Sequence, residues 1–161
     1  MQIVSLAEQP QHLAKLAYWH HSEWSYLYPD ISLRDRAESM ADYFTAESVP
    51  KMFIAIDGDE LLGSTAIDKN DMDTLPHLTP WISDVYVNPA YRGHGIGTAL
   101  VRHAMEYARK NGVQTLYLYT PGQESFYTRL GWKRLTKDVY HNHPVSVMHV
   151  QLAPAAVAIS S

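Results

Sequence analysis

A glycine-rich turn between a strand and an amphipathic helix constrains this chain most. Residues 92–97 are Arg-Gly-His-Gly-Ile-Gly, and they follow a β-like run that ends with Val-Tyr-Val at 85–87. Apolar residues then recur at helical spacing over 96–108, and Gly112 is placed to end the helix. Glycines let the backbone point several N–H groups into one concavity, next to the positive end of the helix dipole. Together with the charge of Arg92, the turn predicts a binding site for a phosphorylated cofactor, with room for a pyrophosphate.

The spacing of the glycines excludes two other phosphate-binding motifs. A nucleoside-triphosphate loop requires G-x-x-x-x-G-K-[ST], and the chain contains no Gly-Lys-Ser or Gly-Lys-Thr. The Rossmann fingerprint requires G-x-G-x-x-G and an acid about 20 residues further on, but residues 116–118 at that offset are Leu-Tyr-Leu. The pattern that does match is [QR]-x-x-G-x-[GA], formed by Arg92, Gly95 and Gly97.

That pattern, with Val-Tyr-Val at 85–87 and Asn88-Pro89 before it, resembles the acyl-coenzyme A signature of the GNAT superfamily of N-acetyltransferases. A second block at 124–132 resembles another signature of the family, in which a short helix carrying Phe-Tyr ends at a glycine followed by an aromatic residue. The resemblance extends over roughly residues 53–152 with the order of elements intact. The chain is therefore identified as a member of the GNAT superfamily.

The hydrophobic pattern predicts an α/β fold of the mixed α+β kind. A hairpin that feeds a strand–helix–strand crossover implies a central mixed, twisted sheet of about six to seven strands, with helices on both faces, as in the GNAT fold. The length of 161 residues fits a single domain over 1–152, followed by a small-residue tail over 153–161. The predicted strands are 3–6, 51–56, 61–67, 81–87, 115–119, 132–137 and 145–152, and the predicted helices are 10–25, 33–46, 96–111 and 123–130.

The composition narrows the possible partners. A net charge of −4 leaves no basic stripe for a nucleic acid, whereas a mildly acidic surface suits a cationic amine or a basic peptide. The absence of cysteine excludes a thiol nucleophile, so any acetyl transfer is expected to be direct. No apolar run has the length of a membrane span, and Glu8 and Lys15 interrupt the N-terminal segment, so we expect a cytoplasmic protein without a membrane partner.

The resemblance implies that the cofactor is acetyl-coenzyme A. In the family, the backbone of the strand containing Val85 and Val87 hydrogen-bonds the pantetheine arm, at the place where this strand and the next one diverge. The expected cofactor-binding residues are Val85, Tyr86, Val87, Arg92, Gly93, His94, Gly95, Ile96, Gly97 and Thr98.

Acetyl transfer to an amine requires a neutral nitrogen, a polarised thioester carbonyl and a proton for the departing thiolate. The resemblance implies that Tyr127 supplies this proton, because the corresponding tyrosine in the family lies beside the coenzyme's sulfur. Asp84 is the candidate base, and strand alternation places it and Tyr86 on the face opposite Val85 and Val87. Three alternatives stay open: this carboxylate orients a backbone amide, it attracts a cationic acceptor, or a water relay takes the proton.

The expected acceptor-binding residues are Trp24, Tyr28, Trp81 and His141. Trp24 and Tyr28 belong to an aromatic stretch that, in the family, borders the acceptor site. Aromatic walls suit an alkylammonium, although such clusters also serve as core packing. The histidines at 20–21 and at 141 and 143 lack a third ligand at a recognisable spacing, so no metal is expected. The second predicted helix should place Arg36 on its polar side, away from the apolar side.

The function that the resemblance implies is transfer of an acetyl group from acetyl-coenzyme A directly to a primary amine of a small molecule or peptide. Two alternatives remain open. One is a protein N-terminal or lysine acetyltransferase, and the other is a catalytically silent acyl-coenzyme A binding or sensing module. Family members are often dimers, so a homodimer is a further expectation.

Overall fold

Seven strands form one mixed sheet in a computed structural model that describes residues 1–154. Numbered along the chain, the strands are β1 (Gln2–Ser5), β2 (Lys51–Asp57), β3 (Glu60–Asp68), β4 (Trp81–Val87), β5 (Thr115–Thr120), β6 (Lys133–Tyr140) and β7 (His143–Gln151). Their order in the sheet is β1-β2-β3-β4-β5-β7-β6. Among the strands of the described residues, only β4 and β5 are parallel neighbours, and the other pairs are antiparallel. The predicted mixed sheet is confirmed, whereas most of the predicted tail, residues 155–161, lies outside the described residues.

Within residues 1–154, four α-helices accompany the sheet: α1 (Leu13–Trp24), α2 (Leu33–Ser39), α3 (Ile96–Lys110) and α4 (Glu124–Arg129). The second predicted helix is divided, because α2 ends at Ser39 and continues as a 3-10 helix over Met40–Phe44. Ser32 caps α2 through a capping box: its side chain accepts from the N–H of Asp35, and the Asp35 side chain accepts from the N–H of Ser32. Within the described residues no helix has the length and apolarity that a membrane span requires.

The last hairpin is longer than predicted. It turns at His141 and Asn142, whose φ angles of 48° and 65° are both left-handed. A two-residue turn with two positive φ angles keeps the strands paired up to the turn, so β6 runs on to Tyr140 and β7 begins at His143. The usual sequence signal for this turn is a glycine after asparagine or aspartate, and His-Asn lacks it.

The core has two layers, one on each face of the sheet. On β2, Phe53 packs on the face covered by α3, whereas Met52, Ile54 and Ile56 pack on the face covered by α1 and the 3-10 helix. This alternation is the two-residue period of a strand buried on both faces. The predicted helices on both faces are therefore present.

A β-bulge interrupts β4 at the centre of the sheet. The register against β3 shifts between Ser64 and Ala66, so that two residues of β4 stand opposite one residue of β3. The bulged residue Asp84 has a φ of 50°, which is uncommon for a residue other than glycine. On its other side, β4 pairs with β5 only at Trp81 and Tyr117. The two strands then diverge, and their separation opens the molecule beside the bulge.

Candidate active site

A cleft of about 1120 Å³ occupies the space between the diverging ends of β4 and β5. We call it the central cleft. One end is formed by the N-terminus of α3, and the other by α1, α2 and the loop at 70–71. It therefore brings together segments that are far apart in the sequence, and its two ends differ in chemistry.

The N-terminus of α3 supplies main-chain donors to one end of the cleft. Gly93 and Gly95 have φ values of 83° and 80°, conformations that glycine adopts without strain. The first helical hydrogen bond runs from the N–H of Ala99 to the carbonyl of Gly95 at 3.0 Å. The N–H groups of residues 96–98 precede it and have no acceptor within the helix. These groups and the helix dipole form an anion-binding surface.

Arg92 adds a full positive charge beside these amides. Its Nε atom donates to the carbonyl of Val87 at 3.0 Å, and its guanidinium carbon lies 5.6 Å from the centre of the Tyr86 ring. His94 instead points away, with Nδ1 placed 3.0 Å from the carbonyl oxygen of Tyr91. Nine of the ten expected cofactor-binding residues line the cleft, and His94 is the exception.

Tyr127 lines the side of the same cleft from α4. Its ring packs between Phe126, at 4.9 Å between ring centres, and Trp132, at 6.1 Å. Only 8% of the residue is exposed, and this burial raises the pKa of the Tyr127 phenol. The hydroxyl therefore keeps its proton at neutral pH, as a proton donor must.

Asp84 lies on the bulge in the middle of the cleft. Its carboxylate is 21% exposed, and its Oδ1 atom is 3.6 Å from Nη1 of Arg36 on α2. Burial raises the pKa of Asp84, whereas the Arg36 guanidinium and the nearby hydroxyl of Tyr43 oppose this shift. A carboxylate with a raised pKa is a stronger base, so the environment suits a group that accepts a proton.

Strand alternation is modified at the bulge. Asp84 and Tyr86 face α1 and α2, and Val85 and Val87 pack on the α3 side, as the period predicts. Ser83 breaks the pattern, because its hydroxyl reaches Asp68 on the same side as Asp84. Two successive side chains on one face are a consequence of the extra residue in the bulge.

A buried hydrogen-bond chain holds the bulge in place. Ser64 Oγ donates to the carbonyl of Asp84 at 2.7 Å, and its oxygen lies 2.8 Å from Nε2 of His20. Since the only hydroxyl proton of Ser64 goes to Asp84, His20 is the donor in the second bond. Burial, with a smaller effect of Arg36, lowers the pKa of His20 to about 3, so this histidine is neutral.

The acceptor end of the cleft combines acids, one cation and aromatic rings. The position of Arg36 differs most from the prediction. Its side chain is only 14% exposed, and it faces the cleft rather than the solvent on the polar side of α2. Its guanidinium lies 5.8 Å from the ring centre of Tyr28, whose hydroxyl hydrogen-bonds that of Tyr119. Asp71, from the loop that follows β3, adds another carboxyl group whose pKa is raised by burial and by Asp84.

The four expected acceptor-binding residues divide into two groups. Trp24 and Tyr28 line the cleft. Trp81 does not: it is fully buried beneath the wall, and its indole Nε1 donates to the carbonyl of Leu78. His141 also stands outside the lining, at the turn between β6 and β7, where its ring packs 5.0 Å from that of Tyr28. The large apolar surface of a tryptophan favoured the core over the cleft at position 81.

Comparisons with known proteins agree with this arrangement. The model of the acetyltransferase (GNAT) family matches residues 13–132. N-alpha-acetyltransferase 30 of Schizosaccharomyces pombe is 31% identical over 96 residues, which are 57% of this chain and 63% of that protein. Streptothricin acetyltransferase of Streptomyces lavendulae is 36% identical over 92 residues, 57% of this chain and 46% of the relative. The chain thus spans about half to two thirds of the length of these curated relatives.

The fold is shared with solved structures over nearly all of the chain. An aminoglycoside 6'-N-acetyltransferase in complex with coenzyme A superposes with a TM-score of 0.75 at 20% identity, covering 98% of this chain and 100% of that one. The chain belongs to the acetyltransferase (GNAT) family. Membership places this domain among the acetyl-coenzyme A dependent acyltransferases, and the resemblance of its two sequence signatures is confirmed.

Proposed function

We propose that this protein transfers the acetyl group of acetyl-coenzyme A to a primary amine of a small molecule or peptide. One observation supports this most: a single cleft joins the free amides of α3 to Tyr127 and Asp84. A diphosphate at the helix N-terminus and a reacting group beside the bulge can therefore belong to one extended ligand.

The residues of the chain fit the parts of such a ligand. Arg92 and the amides of residues 96–98 match a diphosphate in charge and in hydrogen-bonding capacity. The edge of β4 beyond Trp81 is unpaired on the β5 side, so the backbone of Val85 and Val87 can bond an amide-containing arm, with one acceptor site of the Val87 carbonyl already taken by Arg92. Acetyl-coenzyme A, when bound there, supplies the thioester.

Two side chains then handle the protons of the reaction. Asp84 accepts a proton from the ammonium form of the acceptor, which leaves a neutral nitrogen able to attack the thioester carbonyl. Tyr127 presents its hydroxyl proton to the departing sulfur. The bulge places Asp84 between the cofactor end and the acceptor end, and the walls of the cleft limit the access of water.

The acceptor end favours a cationic amine. Asp71 and Asp84 supply two carboxyl groups, with Arg36 as the partner of Asp84. Trp24 and Tyr28 add aromatic faces, which attract alkylammonium groups. A neutral or anionic amine would gain less from this surface.

The test is release of free thiol from acetyl-coenzyme A in the presence of an amine panel. The panel contains polyamines, aminoglycosides, amino acids and short peptides, and we expect turnover with at least one cationic small amine. Turnover only with peptides would support the N-terminal or lysine acetyltransferase instead. Retained cofactor binding without turnover across the panel would contradict the proposal and favour the sensing module.

A further inference from the structure

Arg36 carries hydrogen-bond donors that the protein itself does not use. Its side chain borders the central cleft from α2 and is only 14% exposed. Within residues 1–154, its buried Nε atom has no hydrogen-bond partner. Its Nη1 atom is 3.6 Å from Oδ1 of Asp84, which is longer than the N···O distance of about 2.7–3.2 Å in a hydrogen bond. Buried donors in proteins are nearly always paired, so a ligand in the cleft is the partner that this guanidinium lacks.

The neighbouring acids leave this capacity open. Asp68, the last residue of β3, has partners of its own, because it accepts hydrogen bonds from the hydroxyls of Tyr43 and Ser83. Asp84 attracts the guanidinium by charge, but the two groups do not reach hydrogen-bonding distance. The pair is therefore loose enough for a third group to bond both of its members.

The ring of Tyr28 holds the guanidinium in place without using its N–H groups. The guanidinium carbon of Arg36 lies 5.8 Å from the centre of this ring, a cation–π distance. The Tyr28 hydroxyl is hydrogen-bonded to that of Tyr119 on β5, which fixes the ring in turn. Stacking against a ring leaves the donors at the edge of the guanidinium plane available. Arg36 is thus positioned before any ligand binds.

The distance between Arg36 and Asp84 limits which ligand can bond both. An amine nitrogen on Oδ1 and an oxygen on Nη1 would each need a contact of about 2.7–3.2 Å. Because Oδ1 and Nη1 are only 3.6 Å apart, the nitrogen and the oxygen of the ligand must also be close to each other. A nitrogen and an oxygen on neighbouring carbons lie about 3 Å apart in a gauche arrangement. A vicinal pair therefore fits the two protein atoms.

The charge of the acceptor end favours an uncharged oxygen. The acids that line this part of the cleft are Glu23, Asp35, Asp71 and Asp84. A carboxylate on the acceptor would approach several of these groups, and like charges at short range repel one another. A hydroxyl or carbonyl oxygen accepts a hydrogen bond from Arg36 without this repulsion.

We propose that Arg36 selects acceptors with an uncharged oxygen on the carbon next to the one that bears the amine. This inference rests on the proposed function and narrows its substrate class. Amino alcohols with neighbouring groups and aminoacyl groups share this feature, whereas simple alkylamines and polyamines lack it. In the bound acceptor, the amine faces Asp84 and the oxygen accepts a hydrogen bond from Arg36, which takes no part in the proton transfer.

The test measures kcat/KM in the thiol-release assay for pairs of amines that differ only at the oxygen-bearing group. Alaninol is paired with sec-butylamine, in which a methyl group replaces the hydroxyl. Alaninamide is paired with the amine that carries an isopropyl group instead of the amide. We expect the wild type to favour the oxygen-bearing member of at least one pair by about 10-fold or more, the effect of a hydrogen bond to a charged group. The pair that shows the preference distinguishes an amino alcohol from an aminoacyl acceptor.

The substitution of Arg36 separates recognition from other effects of the oxygen, which also lowers the pKa of the amine itself. Arg36→Gln should reduce the preference by about 10-fold or more. A merely structural arginine would lower both members of a pair alike and leave their ratio unchanged. Arg34→Gln is the matched control, because this side chain lies on the same helix, is 86% exposed and should keep the wild-type ratio.

A second variant keeps the test decisive if Arg36→Gln does not fold. Arg36→Lys retains the charge beside Asp84 but loses the planar guanidinium, so its preference should fall below that of the wild type. A wild type that turns over both members of each pair equally well, or a preference that survives both substitutions of Arg36, would overturn this inference and leave the proposed function standing. A wild type inactive with every amine would overturn the proposed function itself.

Discussion

The two ends of the central cleft are built in opposite ways. The cofactor end comes from one continuous stretch, residues 85–98, and uses mainly main-chain groups of the β4 edge and the α3 N-terminus. The acceptor end is made of side chains from α1, α2 and β5, and from the loop that follows β3. Backbone conformation therefore determines the first end, and the identity of individual side chains determines the second.

This difference explains how each end should respond to substitution. A main-chain site tolerates most side-chain changes but depends on the few residues that set φ or supply charge. A site built from side chains can lose its activity when a single functional group is replaced. Substitutions at the acceptor end and at Tyr127 should therefore change kcat, whereas those at the cofactor end should change affinity or stability.

Tyr127→Phe should have the largest effect. Removing a positioned proton donor lowers rates by about 10² to 10⁴-fold, so we expect a fall of this order in kcat. The affinity for acetyl-coenzyme A, measured by calorimetry, should stay close to that of the wild type. Tyr18→Phe, at an exposed position 59% accessible to solvent, is the matched control. Equal turnover by Tyr127→Phe would remove this residue from the reaction.

Asp84→Asn should separate activity from stability. We expect kcat/KM to fall by about 10²-fold because the base is lost. The folded state raises the pKa of Asp84 above its usual 3.8, so the folded protein binds more protons than the unfolded chain, and ionisation of Asp84 costs stability at neutral pH. The variant should therefore have a higher Tm than the wild type at pH 7.

This gain should shrink as the pH falls through the raised pKa of the folded state, and it should vanish well below 3.8, where the wild-type carboxyl group is protonated in both states. Thermal unfolding at several pH values checks the sign. A variant less stable than the wild type at pH 7 would show that the ion pair with Arg36 outweighs the burial of Asp84.

Arg92→Ala should act on affinity alone. A charge-assisted hydrogen bond contributes about 1.5 to 3 kcal/mol, so loss of the guanidinium should raise the Kd for coenzyme A by roughly 10 to 100-fold, with little change in kcat at saturation. Arg102→Ala, on the exposed surface of α3 outside the cleft, is the control. An unchanged Kd for Arg92→Ala would exclude Arg92 from diphosphate binding.

Gly95→Ala should produce the smallest effect, on stability. An added Cβ meets no atom within 4 Å, but the φ of 80° at this position costs an L-residue about 1 to 2 kcal/mol. Gly122→Ala is the matched control, because it is equally open and has no positive φ in the range that strains alanine. Denaturant unfolding should show a loss for the first variant only. Equal stabilities would mean that the turn does not depend on glycine at 95.

The sequence was sufficient where a local pattern determines the structure. The strand over 81–87 has the predicted bounds, and the helix begins at Ile96, directly after the glycine turn. Periodicity and glycine spacing are local properties, and they define both elements. The family motif added the cofactor and the role expected for Tyr127.

The acceptor end depended on long-range pairing and could not be predicted in the same way. The bulge at Asp84 exists because of the register against Ser64 and Ala66, about 20 residues earlier in the chain. Arg36 was expected on the polar side of its helix, because a helical pattern shows only which residues share a face. It does not show that the carboxyl groups of β4 and of the loop after β3 lie opposite this helix. Asp68 gave no sequence signal either, since its two hydrogen-bond partners lie on other elements.

The most direct measurement of the central claim is the backbone amide spectrum of ¹⁵N-labelled protein titrated with coenzyme A. The account predicts the largest shifts at the amides of residues 95–98, with smaller shifts at 85 and 87, in parallel with heat of binding by calorimetry. Uptake of coenzyme A without shifts at the N-terminus of α3, or no uptake at all, would contradict the claim that this turn holds the diphosphate.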